Sequence, residues 1–216
     1  MSGYLTIQTD ASDEVTLQKS RFIGSAAPCP SEKAALAHIA RIRETYTDAS
    51  HHCYAFIVGA NGGLTRYSDD GEPSGTAGLP IMEVIRKKGL VNLCVVVTRF
   101  FGGILLGAGG LARAYTKGCT IALDTARIVH MEPSVRLCCE TPYPFWDKIR
   151  HMLNHLPVRL ETCQYAAAVT FDWLSKEADA EDILASLTGA ANGCIRVLDR
   201  QPLYAAWPIC PKQTPA

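Results

Sequence analysis

Residues 93–115 read LCVVVTRFFGGILLGAGGLARAY, and this stretch decides how the first half of the chain folds. The continuous apolar run Leu93–Val97 predicts a buried β-strand. A glycine-rich loop follows at Phe101–Gly110, and a helix then runs to about Ala126. Glycines let a ligand approach the backbone, and the free N–H groups of a helix N-terminus favour anions. The stretch therefore predicts either an anion site, such as a phosphate site, or a tightly packed strand-to-helix connection.

The candidate groups of this anion site come from the loop and its flanks. Positive charge precedes the loop and follows it, so an anion would meet cations on both sides. The candidates are Arg99, Gly102, Gly103, Gly107, Gly109, Gly110, Arg113 and Lys117.

The glycines do not complete a standard nucleotide-binding motif. A Walker A loop requires Lys where this chain has Ala108. Residues 107–112, GAGGLA, match G-x-G-x-x-A, but the dinucleotide fingerprint has a tight turn where this chain has a long loop after Val97. The strands before the loop have a hairpin pattern and not a βαβ pattern. We therefore expect no cofactor.

A second candidate segment is the loop SDDGEPSGTAG at residues 68–78. The carboxylates of Asp69, Asp70 and Glu72 could bind a hard metal ion, act as acid or base, or accept hydrogen bonds from loop N–H groups. Their spacing is not that of an EF-hand. Composition favours the last alternative, in which aspartates fix the loop backbone. Ser74 and Thr76 are the other binding candidates of this loop.

The segment His51-His52-Cys53 could suggest a metal site or a Cys/His nucleophile pair. Adjacent strand residues point to opposite faces, so at most two of the three can share a ligand. No second pair has zinc spacing, and no motif supports a nucleophile. We expect no metal and interpret His52 as a hydrogen-bonded residue near the loops. The irregular spacing of the nine cysteines, none in C-x-x-C, predicts reduced thiols.

Composition excludes several classes of protein. Lys and Arg number 21, and Asp and Glu also number 21, so the net charge is zero. This argues against a protein that coats nucleic acid by bulk charge and against a polybasic membrane anchor. No apolar run approaches the ~18 residues of a membrane span, and the first residues have no secretory-signal pattern. The chain is expected to be cytoplasmic, with no membrane or DNA partner.

The pattern changes near residue 133, which predicts two domains, 1–133 and 134–216. In the first, Ser31 is expected to cap a helix, Tyr54–Val58 and Leu64–Tyr67 to form a hairpin, and Pro80 and Gly89 to bracket a short helix.

The second half has the order β-α-β-β-α-β, which is typical of a ferredoxin-like α+β domain. The expected strands lie near Val135–Glu140, Val158–Cys163, Ala166–Phe171 and Ile195–Asp199. The expected helices lie near Phe145–Leu156 and Ser175–Leu187, the second capped by Ser175.

Arg136, Arg159 and Arg196 are predicted to share the open face of the second sheet, with Ala166, Ala168 and Thr170 on the third strand. The two interpretations are a modest basic surface, or arginines extended over an exposed sheet. Because this face has no aromatic residue to stack bases, it is not the surface of an RNA-recognition motif.

Taken together, the motifs resemble the YigZ/IMPACT family. The matching segments, in order, are Arg21–Gly24, His52–Ala55, Asp69–Gly78, Val97–Gly103 and Gly107–Tyr115. The resemblance covers about Lys19–Leu123, while the second half looks like the smaller domain of bacterial members. One departure is Leu105, where the family commonly has Lys.

The resemblance implies an N-terminal α+β domain akin to domains of ribosomal proteins, followed by a ferredoxin-like domain. Eukaryotic relatives regulate translation by competing for the protein that activates a stress-responsive initiation-factor kinase. Bacteria lack that pathway, so the resemblance implies only a link to translation. The family has no established catalytic residues to transfer.

Two functions remain open at this point. The favoured one is a non-enzymatic binding protein that contacts ribosome, structured RNA or a translation-related protein. The alternative is an enzyme or ligand-binding protein that acts on a small phosphorylated substrate through the glycine loop and the Asp-Asp-Gly-Glu loop. The second predicts that the two loops lie together. The oligomeric state is left open.

Overall fold

The computed structural model describes residues 3–207. This part of the chain is mixed α+β, with five helices and two antiparallel sheets, which confirms the predicted fold class. Contacts divide it into two compact units, residues 3–130 with 206–207, and residues 131–205. The division into domains after residue 133 stays a prediction. Within the described residues, no helix combines the length and apolar character required to span a membrane.

The first unit contains one five-stranded sheet of order β2-β3-β6-β4-β5, in which neighbours are antiparallel. Strand β1 pairs with β7, which begins at Ile128. The elements are β1 Tyr4–Ile7, β2 Ala11–Leu17, β3 Ser20–Pro28, α1 Glu32–Thr45, β4 His51–Val58, β5 Leu64–Ser68, α2 Gly78–Lys87, β6 Leu93–Phe100 and α3 Gly107–Thr125.

The central strand β6 is covered on both faces, which explains its continuous apolar run. Leu93, Val95 and Val97 pack into the core formed with α2 and α3. Cys94 and Val96 point to the other face and pack into the core formed with α1. A strand buried on both sides needs apolar residues at every position and loses the alternating pattern.

Strand β3 and helix α3 approach each other closely at two glycines. A Cβ atom built on Gly24 would lie 2.0 Å from the backbone oxygen of Gly118, and one on Gly118 would lie 2.8 Å from Val97 Cγ1. Only residues without a side chain allow the helix to lie this near to the sheet.

Local signals predicted the first unit well. Ser31 caps α1, because its Oγ accepts a hydrogen bond from Ala34 N at 3.2 Å. The predicted hairpin is β4 and β5, and the predicted short helix is α2. Strand β2 was not predicted, since its residues Ser12, Asp13 and Glu14 are exposed and show no apolar alternation.

The second unit has the predicted order of elements. Its paired strands follow the order β10-β7-β9-β8, so sequence-adjacent β7 and β8 are separated by β9, as in a ferredoxin-like arrangement. Helices α4 and α5 pack with the sheet in one core that contains Trp146, Phe171 and Trp173. The elements are β7 Ile128–Thr141, α4 Tyr143–Leu153, β8 Arg159–Tyr165, β9 Val169–Lys176, α5 Ala180–Ala190 and β10 Arg196–Trp207.

The prediction that Ser175 caps a helix is wrong. Ser175 lies inside β9, fully buried and opposite Val135, while the N-cap position of α5 is Asp179. The strand continues because Val169, Phe171 and Trp173 alternate toward the core. Ala166 and Ala168 therefore lie before β9, where Ala166 N donates to Ala168 O, and not on the sheet face.

Candidate functional site

The acidic loop meets the end of β6, just before the glycine-rich loop, at a buried ion pair. Arg99 Nη1 lies 2.6 Å from Glu72 Oε1, and both side chains are almost fully buried. The hydroxyl of Tyr115 donates to the same carboxylate oxygen at 2.8 Å. The cluster Glu72–Arg99–Tyr115 thus joins the acidic loop, the end of β6 and helix α3.

Arg99 occupies this position because it continues the alternation of β6 toward α2 and α3. Its guanidinium lies over the rings of Phe22 and Phe101, at 5.6 and 5.4 Å from their centroids. Ser20 Oγ is 3.5 Å from Nη2. Nε is buried and has no hydrogen-bond partner in the described structure, so one donor of this desolvated cation is left unsatisfied.

A cavity of about 400 Å³ opens beside this cluster. Three groups with ionisable side chains, His51, Glu72 and Arg99, contribute to its lining. The rest of the lining comes from Pro73, Phe101, Leu105, Leu106, Gly107, Ala108 and Leu111. A largely apolar wall with a few convergent polar groups is the usual composition of a ligand pocket.

The carboxylate of Glu72 keeps one oxygen free. Oε1 accepts from Arg99 and Tyr115, whereas Oε2 has no partner among residues 3–207. His51 Nε2 lies 3.9 Å from Oε1. His51 Nδ1 is 2.8 Å from the carbonyl oxygen of Asp70, which can only accept, so Nδ1 carries the proton. The contacts of Arg99, Tyr115 and His51 with Glu72 are all to Oε1, so Oε2 is available to a ligand.

The aspartates of the acidic loop are used in backbone hydrogen bonds. Asp69 Oδ1 accepts from the N–H groups of Ala77 and Gly78 at 3.0 and 2.8 Å, which satisfies the start of α2. Asp70 accepts from His52 N and from Arg43 at 2.6 Å each. Glu72 is the one carboxylate of the loop that lines the cavity.

The remaining candidates of this loop lie outside the cavity lining. The hydroxyl of Thr76 donates to Pro73 O at 2.6 Å, which tightens the turn. The side chain of Ser74 is exposed. The structure therefore does not bring Ser74 and Thr76 together with Glu72 in the cavity wall.

His52 points to the opposite face of the sheet from Arg99. Thr98 Oγ1 lies 3.2 Å from its Nδ1, and the Tyr46 carbonyl is its other partner. Burial lowers the pKa of this imidazole below its ordinary value. The interpretation of His52 as a hydrogen-bonded residue near the loops agrees with these contacts.

His52 is expected to make stability fall in mild acid. The folded protein holds the pKa below the unfolded value of about 6.5, so this contribution is complete above about pH 6.5 and is lost as the pH falls toward the folded pKa. Between about pH 7.5 and about pH 5.5, the free energy of unfolding should therefore fall less in His52→Gln than in the wild type. Urea titrations at the two pH values measure this difference. Equal losses in the two proteins would contradict this assignment.

The glycines of the glycine-rich loop have different structural roles. Gly102 packs on the turn before β3, where a Cβ would lie 2.0 Å from Lys19 O. Gly103 and Gly107 have positive φ values of 82° and 69°. Gly107 begins α3, and Gly109 and Gly110 belong to its first turn. Gly107 alone of these lines the cavity.

Helix α3 begins without a capping side chain and without an acidic residue in its first turn. Arg113 Nη1 lies 3.7 Å from where a Cβ on Gly109 would be, so its guanidinium extends back over that turn. Arg113 and Lys117 are exposed and form no ion pair within residues 3–207. This end of α3 therefore presents unsatisfied N–H groups and free cations on one surface.

The arginines of the second sheet are partly neutralised. Arg136 pairs with Glu161, and Arg196 pairs with Glu140 at 2.8 Å. Arg159 lies opposite Leu174 at the edge of the same sheet. These three residues lie in the second unit and do not line the cavity described above.

None of the buried nucleophiles beside the cavity is activated. Burial raises the pKa of the Cys53 thiol to about 12, and its Sγ donates to Asp69 O at 3.0 Å. Burial also raises the pKa of the Tyr115 hydroxyl well above its ordinary value. Both groups are therefore neutral near pH 7. Residues 3–207 contain no group of three or more His, Cys, Asp or Glu side chains that could hold a metal ion.

Sequence reasoning missed part of the site. Tyr115 ends the quoted glycine-rich stretch, four residues after Leu111, and this spacing places both on one helix face. His51 was considered only within the segment His51-His52-Cys53, and Phe101 only as the first residue of the glycine-rich loop, so neither was named as a binding candidate. The apolar wall, which includes Leu105 and Leu106, had no signal in the sequence other than its position inside the glycine loop.

The fold and the site define a two-unit α+β protein with a ligand-sized cavity between an acidic loop and a glycine-rich loop. The family model for the Impact N-terminal domain matches residues 18–123. The chain is 34% identical to the IMPACT family member YvyE of Bacillus subtilis over 193 residues, which is 89% of each protein. It is 32% identical to the IMPACT family member YigZ of Escherichia coli, covering 84% of this chain and 90% of that one. The chain belongs to the IMPACT family.

A solved structure supports the same conclusion about the fold. A crystal structure described as that of a hypothetical protein is 30% identical, with a TM-score of 0.61, and the match covers 92% of this chain and 97% of that one. The predicted resemblance and the α+β fold are thus confirmed.

Proposed function

We propose that this protein is a non-catalytic binding protein linked to translation, which contacts structured RNA such as that of the ribosome. The contact surface consists of residues 101–106, which are the part of the glycine loop before α3, and the first turns of α3. Membership of the IMPACT family supports the link to translation. A cytoplasmic location belongs to this proposal and stays a prediction.

One contrast in the site carries the proposal. The aspartates of the acidic loop are held in internal hydrogen bonds, and neither Cys53 nor Tyr115 is activated as a nucleophile. Arg113 and Lys117, in contrast, are exposed beside the uncapped start of α3 and form no ion pair with the described part of the chain. This arrangement suits the binding of phosphate groups better than it suits catalysis.

The contact is expected to be local. The chain has no net charge, so a general electrostatic attraction to nucleic acid is absent. A few cations and backbone N–H groups at one helix end recognise the shape of an RNA backbone and its exposed bases. Association should therefore weaken with salt, with a slope set by a small number of phosphate contacts.

Ribosome co-sedimentation across a salt series tests this surface. The double variant Arg113→Ala/Lys117→Ala should reduce the slope of log affinity against log salt by about 2, because each cation contributes about one phosphate contact. The matched control is Arg86→Ala/Lys87→Ala, which removes the same charge from exposed positions at the end of α2. The control should co-sediment as the wild type does.

Three results would count against the proposal. If the wild type does not co-sediment even at low salt, the protein does not contact ribosomal RNA. If both double variants lose the same affinity, net charge and not the start of α3 governs association. Capture of a translation-related protein in place of RNA would move the contact to a protein partner.

A second candidate function is recognition of, or catalysis on, a small phosphorylated substrate. The observation that favours it is the 2.6 Å contact of Arg99 with Glu72, which brings the two loops together around a cavity of about 400 Å³. Titration calorimetry with inorganic phosphate and with nucleoside monophosphates tests it on the purified chain. Binding of phosphate monoesters without any RNA binding would favour this candidate over the first.

A further inference from the structure

We propose that the cavity beside Glu72 and Arg99 receives a single unpaired nucleobase whose Watson–Crick edge has an exocyclic amino group beside a ring-nitrogen acceptor, cytosine or adenine, and excludes uracil. The base belongs to an unpaired nucleotide of the bound RNA, so this inference rests on the proposed function and specifies what its surface recognises. A free nucleotide offers the same chemistry and is distinguished in the test.

The shape and wall of the cavity suit a flat aromatic ligand. Its volume of about 400 Å³ lies within the size range of small-ligand pockets, about 300–1,000 Å³. Phe101 lines the cavity and is 49% exposed, with the Arg99 guanidinium held against one side of its ring. The exposed part of the ring offers a surface on which a base can stack, and Leu105 and Leu106 supply apolar wall beside it.

The polar end of the cavity distinguishes between bases. Glu72 lines the cavity, and its Oε2 is an acceptor without a partner among the described residues. Arg99 already neutralises the carboxylate, so the site suits a neutral donor better than a second cation. Cytosine and adenine each present an exocyclic amino group at one corner of the Watson–Crick edge, and this donor complements the free carboxylate oxygen. Uracil bound in the same position has a carbonyl oxygen where cytosine has its amino group, and this oxygen would face the carboxylate.

The phosphate of the same nucleotide has a place at the start of α3. Gly107 and Ala108 belong to the first turn of α3 and line the cavity. Arg113 extends back over this turn. A base in the cavity therefore brings its phosphate to unsatisfied N–H groups and a free cation, which is the arrangement expected of a nucleotide site. The cavity adds base selection to a surface that otherwise recognises phosphates.

Fluorescence anisotropy with two labelled RNA hexamers, one of cytidine and one of uridine, tests the inference. The two hexamers have the same length and charge and differ at the base edge. The cytidine hexamer is expected to bind about tenfold more tightly, because one charge-assisted hydrogen bond is replaced by a repulsive contact. Glu72→Gln replaces the acceptor by an amide that also donates, so the preference should disappear or reverse.

A second variant keeps the test valid if Glu72→Gln fails to fold. Phe101→Ala removes the stacking surface from an exposed loop and should weaken binding of the cytidine hexamer about tenfold. Tyr67→Ala is the matched control, since Tyr67 is 51% exposed on strand β5 and does not line the cavity. Its affinity should equal that of the wild type.

The outcomes separate this inference from the proposed function. Equal binding of both hexamers by a wild type that co-sediments with ribosomes would overturn the base selection and leave the RNA contact standing. Binding of neither hexamer would overturn the inference, and failure to co-sediment would in addition overturn the proposed function. If the protein binds CMP more tightly than UMP, and binds the cytidine hexamer no more tightly than CMP, the result would support the proposed contacts in the cavity. It would identify the ligand as a free nucleotide and not as part of an RNA.

Discussion

Replacement of Arg99 with Ala is expected to lower the free energy of unfolding by about 3–5 kcal/mol, because it leaves the Glu72 carboxylate buried without its counter-charge. The side chains of Arg99 and Glu72 are only 6% and 4% exposed, and the N–O distance of 2.6 Å is that of a strong charge-assisted hydrogen bond. The variant also removes the cation that lies over Phe22 and Phe101. The loss should appear as a lower midpoint in urea unfolding.

The control for this variant is Arg66→Ala. Arg66 pairs with Glu32 at 3.0 Å, but both side chains are solvated, with exposures of 57% and 36%. An exposed pair contributes about 0–1 kcal/mol, so the control should unfold nearly as the wild type does. If Arg99→Ala costs no more than Arg66→Ala, the buried pair does not hold the two loops together. For the same reason Arg99→Ala is unsuitable as a test of RNA contact, because it perturbs the fold.

Gly24→Ala is the second change for which we expect a large effect, a loss of about 3 kcal/mol, at the upper end of the usual cost of overpacking. The added Cβ would lie 2.0 Å from the backbone oxygen of Gly118 and 2.9 Å from Ala122 Cβ. A backbone atom cannot move aside as the end of a side chain can. Helix α3 would therefore shift off β3, and its contacts with the core would weaken.

Urea unfolding of Gly24→Ala should be compared with Gly109→Ala. Gly109 also belongs to the first unit, lies in a helix, and has no atom nearer than 3.7 Å to the added Cβ. Alanine favours helix over glycine, so this control should change stability by less than about 1 kcal/mol, in the favourable direction. If both variants lose a similar free energy of unfolding, the close approach of β3 and α3 at Gly24 is not the cause of the loss.

The elements that the sequence predicted well are those with local causes. The continuous apolar run Leu93–Val97 is the central strand β6, and Ser31 caps α1 through its own side chain. Ser175 shows the limit of such signals. A serine with an acidic residue two positions later is a helix-start pattern, yet the strand pattern of Phe171 and Trp173 continues through Ser175 and places it in β9. A capping pattern is short and was overridden by packing of the strand.

The candidate site was predicted in its parts and not in its arrangement. Glu72 and Arg99 were both singled out, and the structure joins them directly, 27 residues apart in the chain. Asp69 and Asp70 came from the same loop, but the direction of each side chain follows from the path of the loop backbone. That path depends on α2, whose start Asp69 satisfies. No periodicity in the sequence encodes which carboxylate of the three turns inward.

The sequence alone determined the class of fold, the order of elements in the second half and the family, because hydrophobic period, turn residues and helix caps act within a few residues of one another. Only the tertiary structure decided which groups meet. The buried cluster of Glu72, Arg99 and Tyr115 comes from three separate elements. The close approach of β3 and α3 needs Gly24 and Gly118 at the same point in space. Such contacts arise from the packing of distant segments, so the cavity and its free carboxylate oxygen can be seen only once the chain is folded.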